Sequence, residues 1–216
     1  MTELTNILNQ INADGYTVIS NVISVTEDDM KNLNEQIETK PVYIFNQDWD
    51  NNDMKRSQTL LNKDGLSFIS HLDHFVSEIN PTLKMSNWVI IKSDIGCQKQ
   101  MVHLDYLPTP EFMSAVSGDD KSKIPLLCLV GLMDETYIYI WKNGFYTKEA
   151  IKSTKLTLNS GDVLVFRADV IHAGSEYDKR NIGLHCYLDS ECVARDEDTT
   201  FIVSLDEPEL TKLIIE

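Results

Sequence analysis

From residue 87 to residue 189 the chain is a succession of short apolar runs. They fall near residues 87–92, 100–106, 124–133, 136–141, 154–158, 162–167 and 180–189, and Gly, Asp, Asn or Pro separates them. Strands at so even a spacing fold into a sandwich or a barrel. The texture before residue 86 is different. Leu4, Ile7, Leu8 and Ile11 recur at helical spacing, and Leu66, Ile69, Leu72, Phe75, Val76 and Ile79 mark one face of a second helix over 64–80, ended by Pro81. Between them Thr26, followed by Glu27, Asp28 and Asp29, reads as the N-cap of a helix running to about Glu38. Short strands are expected at 16–19 and 42–45. The expected class is mainly β with flanking N-terminal helices, an α+β arrangement with helices on one side of the β-structure. At 216 residues one domain suffices. It divides into a helical support region with outer strands (1–85), a β core (86–190) and a tail (191–216) with a short helix over Glu207–Ile214.

Charge narrows the partners. Thirty-four acidic residues against nineteen basic ones give a net charge of −15. Nucleic-acid affinity rests on Lys and Arg at phosphates, so nucleic acid and anionic membrane are excluded as expected partners. No run approaches the roughly 20 apolar residues of a membrane span, and the N-terminus lacks a signal-like h-region. Cys97, Cys128, Cys186 and Cys192 lack paired spacing, which points to free thiols in a soluble, cytoplasmic setting. A zinc site at Cys186 and Cys192 lacks a second ligand pair.

Two His-x-Asp tripeptides stand out, His71-Leu72-Asp73 and His103-Leu104-Asp105. On a strand, residues i and i+2 share a face, whereas on a helix they lie about 200° apart. His71 and Asp73 fall in the amphipathic helix and cannot share an ion; His71 and His74 belong to its polar flank. His103 and Asp105 fall in a β-run and can. A third ligand must come from a later histidine, and His172 and His185 are the candidates. His185 shares strand parity with Gly183 and Tyr187, so it either lines the site or is a satisfied core histidine. Two imidazoles and one carboxylate hold one face of a divalent metal and leave the other open, the ligand set of non-haem Fe(II) oxygenases. Arg180, eight positions after His172, opens the last apolar run.

These residues resemble the Fe(II)- and 2-oxoglutarate-dependent dioxygenases, of the phytanoyl-hydroxylase-like or prolyl-hydroxylase-like kind. The likeness runs over about 15–190. It rests on Gly15-Tyr16-Thr17-Val18-Ile19, on Asn87-Trp88-Val89-Ile90-Ile91 with Gln100-Met101-Val102-His103-Leu104-Asp105-Tyr106, and on Ser160-Gly161-Asp162-Val163-Leu164-Val165-Phe166 with His172-Ala173-Gly174 and Arg180. The resemblance implies a double-stranded β-helix, or jelly roll, with residues 86–190 as its catalytic core. It implies Fe(II) on His103, Asp105 and His172, with 2-oxoglutarate and O2 as cosubstrates. It implies Arg180 on the far carboxylate of 2-oxoglutarate, and hydroxylation of a protein side chain or small molecule with release of succinate and CO2. Where many members carry Ser or Thr two residues after the Arg, this chain has Ile182; Thr136, Tyr139 and Trp141 are the candidates to complete that contact. The segments 46–63, containing Trp49, and 107–123 are expected as loops over the mouth. Two alternatives stand beside this reading: a cupin-like metal enzyme without 2-oxoglutarate, and a non-catalytic jelly-roll binding protein.

Overall fold

The structure is a computed structural model, and it describes residues 3–39, 41–43, 55–141, 153–195 and 200–203. The helices are α1 (Glu3–Asp14), α2 (Glu27–Ile37), α3 (Ile69–Ile79) and α4 (Pro110–Ser117). The strands are β1 (Tyr16–Ile19), β2 (Val42–Tyr43), β3 (Arg56–Leu60), β4 (Lys84–Met85), β5 (Val89–Ser93), β6 (His103–Leu104) and β7 (Leu126–Gly131). They continue with β8 (Thr136–Trp141), β9 (Thr154–Leu158), β10 (Val163–Arg167), β11 (Ile171–Gly174), β12 (Asn181–Asp189) and β13 (Phe201–Ile202). Among the described residues they form two antiparallel sheets. The larger runs β1-β10-β7-β12-β5-β3-β2, with β4 also on β12; the smaller runs β13-β6-β11-β8-β9. This is the double-stranded β-helix that the resemblance implies. No described helix is long and apolar enough to cross a membrane.

Strand β12 shows how the sequence separates the two faces of the large sheet. Its even positions, Ile182, Leu184, Cys186 and Leu188, are buried in one core cluster with Leu33 and Ile37 of α2 and Leu72, Val76 and Ile79 of α3. Its odd positions, Asn181, Gly183, His185 and Tyr187, line a cavity between the sheets. Period-two alternation thus sends one set of side chains to the helical layer and the other to the site. Leu127, Leu129, Ile138, Ile140, Leu164 and Phe166 form a second core cluster beside the cavity, and Leu129, Ile138 and Phe166 also line it.

The N-cap expected at Thr26 forms as a capping box with Asp29. Asp29 also reaches across to residue 67, accepting from the backbone N and Oγ of Ser67, each at 2.7 Å. Burial works against its ionisation, but the hydrogen bonds from Thr26 and Ser67 prevail and hold its carboxyl down at about 2. Asp29→Ala is expected to cost about 2 kcal/mol in urea unfolding at neutral pH. The folded pKa lies below the unfolded one, so this stabilisation is complete above about pH 4 and fades as pH falls toward 2. The gap between wild type and variant is therefore expected to close over that window.

Several sequence expectations change. The 46–63 loop is cut by β3 at Arg56–Leu60, which joins the large sheet beside β5. Residues 46–54, with Trp49, lie outside the described residues, as does the expected helix at Glu207–Ile214. The 107–123 segment carries α4, whose N-cap Thr109 accepts from Phe112 N and whose first turn holds Pro110. Proline at a helix start gives up no bond, so the Pro-rich stretch is a helix entrance. The helix expected over 64–80 begins at Ile69. The four cysteines are free; Cys186 is buried and Cys192 exposed, and among the described residues they join no metal-binding group.

Candidate metal centre and its cavity

Strand pairing assembles the histidines. His103 opens β6 and His172 lies on β11, and the two are direct cross-strand partners. Their ring centroids are 4.4 Å apart. Asp105 follows just past the end of β6. One ligand atom from each of His103, Asp105 and His172 lies within 4.8 Å of the others. The Nε2 of His103 is 3.5 Å from one Asp105 oxygen, and the Nε2 of His172 is 3.7 Å from the other.

Backbone contacts set the tautomers. Nδ1 of His103 is 2.7 Å from the Met101 carbonyl, and Nδ1 of His172 is 3.1 Å from the Val170 carbonyl. A carbonyl only accepts, so both Nδ1 atoms carry protons, and the Nε2 atoms are the nitrogens turned toward Asp105. Burial, helped by the neighbouring His172, pushes His103 down to about 4, so it is neutral at pH 7. Burial opposes the charge on Asp105, but His172, His103 and His185 together hold its carboxyl below the usual range. The Tyr187 hydroxyl donates to Asp105 at 3.2 Å and orients it. Two imidazoles presenting Nε2 and one carboxylate are the donor set of a divalent first-row metal.

His185 stands beside this trio. Its Nε2 is 3.9 Å from Asp105, and its ring meets Tyr187 edge-on at 4.7 Å. It lines the cavity, as its parity with Gly183 and Tyr187 predicts. The other His-x-Asp pair has a structural role. His71 and His74 are exposed on α3, while Asp73 accepts from the Trp88 indole at 2.7 Å and pairs with Lys63.

The cavity holding the trio is about 360 Å³. Its guanidinium is Arg56, not Arg180. Arg180 shares the parity of Ile182 and Leu184, so it leaves β12 on the helical side, where Glu38 is 3.5 Å away and Asp94 4.0 Å. Arg180 is therefore not among the residues that line the cavity. Arg56 comes from β3, where it opposes Ser93 of β5, which in turn opposes Asn181 of β12. That cross-strand row faces the cavity. Arg56 is 3% exposed and donates to the Cys97 sulfur, the Gln98 carbonyl and the Ser175 carbonyl. Among the described residues no carboxylate pairs with it. A Cβ at Gly174 would collide with its Nη1, so glycine there makes room for the guanidinium.

A second donor is unanswered beside it. Asn181 is buried; its Oδ1 accepts from Thr136 Oγ1 at 3.1 Å, but its Nδ2 has no partner. Of the three candidates for completing the carboxylate contact, Thr136 is at the cavity, holding Asn181. Tyr139 and Trp141 lie on the other face of β8, with Tyr139 bonded to Glu176 and Trp141 packed on Leu104 and Ile171. A buried guanidinium with no carboxylate against it among the described residues, beside a buried amide N–H without a partner, is a setting that favours an anion. The sequence reading missed Arg56 because it sits in a polar stretch taken for loop. The parity of Arg180 with Ile182 was the available signal against Arg180.

No family model matches the sequence, and no curated protein matches it. Solved structures do. The epimerase SnoN, in complex with Fe3+, alpha ketoglutarate and nogalamycin RO, superposes with a TM-score of 0.64 at 12% identity, covering 91% of this chain and 87% of that one. A Pseudomonas putida prolyl-4-hydroxylase gives 0.60 at 10% identity, over 87% and 99%. A Trichoplax adhaerens prolyl hydroxylase, in complex with a hypoxia inducible factor oxygen degradation domain peptide fragment, gives 0.64 at 11%, over 87% and 89%. The chain has the fold of these enzymes. Their identities to it are low, so the likeness extends to the fold, and the chemistry must be argued from the cavity.

Proposed function

We propose that this protein is a non-haem Fe(II)- and 2-oxoglutarate-dependent dioxygenase, acting as a hydroxylase on a protein side chain or small molecule. The observation that carries the reading is the joint one. A buried His-Asp-His trio, with both Nδ1 atoms on backbone carbonyls and both Nε2 atoms toward Asp105, shares one cavity with a buried arginine that has no anionic partner among the described residues.

His103, Asp105 and His172 would hold Fe(II). Arg56 would take the far carboxylate of 2-oxoglutarate through Nη1 by charge-assisted hydrogen bonding, since its Nε and Nη2 are held by Cys97, Gln98 and Ser175. Asn181, buried on the same row and 3.1 Å from Thr136 Oγ1, would be the further donor for that carboxylate through Nδ2. The bound metal with its cosubstrates supplies the chemistry: O2 and 2-oxoglutarate become succinate and CO2 as a C–H bond becomes C–OH. The protein keeps Asp105 ionised and oriented through Tyr187, and it limits water by packing Phe166 edge-on to His172 at 5.0 Å. An unpaired Arg56 is what a metal enzyme without an anionic cosubstrate would not need.

The test is anaerobic loading with Fe(II), then addition of 2-oxoglutarate and O2 without substrate. Slow formation of succinate that requires both Fe(II) and the intact trio is expected. Failure to form succinate, together with no binding of 2-oxoglutarate in calorimetry, overturns the proposal.

A further inference from the structure

The large sheet does not stop at the cavity. Beyond β12 it continues through β5, β3 and β2, and its register extends the cavity lining outward. Leu60 opposes Val89, which opposes His185; Val42 opposes Gln58, which opposes Ile91, which opposes Gly183. Cross-strand partners share a face, so these two rows begin at cavity residues and run out over two strand spacings, about 10 Å, to Leu60 and three, about 14 Å, to Val42. The far face of the same strands is covered: Ser57, Thr59 and Ile90 are buried toward the helices. The cavity-side face is open at its outer end, where Leu60 is 62% and Val42 60% exposed. Among the described residues, Ile95 is the other large exposed hydrophobic, and it lies off both rows. Neither row contains a charged side chain.

We infer that the substrate presents an extended, uncharged apolar body to this shelf while its reacting carbon lies at the metal centre. The occupant is a small molecule. The backbone groups of β3 and β5 are used within the ladders, so this face offers a polypeptide no main-chain pairing, and Gln58 is the one polar side chain on the two rows beyond β12. A hydrocarbon-rich small molecule needs no such pairing and covers exposed aliphatic surface continuous with the site. This rests on the oxygenase reading and names the substrate class of that same site.

The test uses the full chain loaded with Mn(II) and 2-oxoglutarate, and N-phenyl-1-naphthylamine as a neutral apolar fluorescent probe. Saturable binding is expected in wild type. Leu60→Asp and Val42→Asp are each expected to weaken it about tenfold, with unchanged circular dichroism and unchanged 2-oxoglutarate affinity. Ile95→Asp is the control and is expected to have no effect. Unaltered probe affinity in both row variants, or equal weakening by Ile95→Asp, overturns the inference. So does stimulation of succinate formation by neutral extended peptides but not by neutral polycyclic or long-chain small molecules. The underlying reading fails in a different way, by loss of 2-oxoglutarate binding in wild type, which probe binding does not report.

Discussion

His172→Ala is expected to abolish metal binding, whereas His71→Ala is expected to leave it intact. Wild-type protein with Mn(II) at a hundredfold excess over Kd gains about 2.7 kcal/mol of stability, which for a chain of this size is roughly 5–10 °C in Tm. The variant is expected to show no metal-dependent shift, since losing a ligand costs more than the roughly 10–100-fold loss typical of an outer partner. His172 is buried opposite His103, and its truncation removes one of two imidazole donors without touching the Nδ1 bond that orients the other. His71 is exposed on α3. An equal metal shift in His172→Ala and wild type, measured by thermal unfolding and by Mn(II) electron paramagnetic resonance, would sink the ligand assignment.

Arg56→Ala is expected to weaken 2-oxoglutarate binding by roughly 2 kcal/mol, about thirtyfold in Kd, the worth of a charge-assisted hydrogen bond. Arg180→Ala is expected to stay near the wild-type value, because its guanidinium is spent on Glu38 and Asp94. Arg56 also ties down the carbonyls of Gln98 and Ser175, so its removal costs stability as well. A comparison ligand separates the two effects. 2-Oxobutyrate keeps the keto acid and lacks the far carboxylate. Wild type is expected to prefer 2-oxoglutarate strongly, and Arg56→Ala to lose most of that preference, which loosening of the cavity alone would not produce. The cycle of two ligands and two proteins isolates the carboxylate–guanidinium coupling. Undiminished discrimination in Arg56→Ala would assign the anion elsewhere.

Some of this was legible in the sequence because it depends on local periodicity. The His103-x-Asp105 spacing on a β-run places both side chains on one face whatever the strand pairs with. His71-x-Asp73 is ruled out by the helical spacing of its own neighbours. The acidic first turn after Thr26 names a helix start, and the alternation of residues 181–189 separates a core face from a cavity face. The same alternation already sets Arg180 apart from His185 and Tyr187. β3 was hidden because Arg56-Ser57-Gln58-Thr59-Leu60 is mostly polar. Both of its faces are used, one toward a polar cavity and one toward the helices through small hydroxyl side chains, so no hydrophobic alternation shows.

The sequence by itself therefore determined the two layers, the placing of His103 and Asp105 as candidate ligands and the rejection of the helical decoy, since each follows from residues close along the chain. Only the tertiary structure decided the partners. That His172 sits opposite His103, and that β3 lies beside β5 so that Arg56, Ser93 and Asn181 form one row, are pairings between distant segments. Their register is set by how the two sheets bury their faces against each other and against the helices, which no local pattern contains. That register is why the guanidinium at the site is Arg56, and why the aliphatic rows continue out of the cavity to Leu60 and Val42.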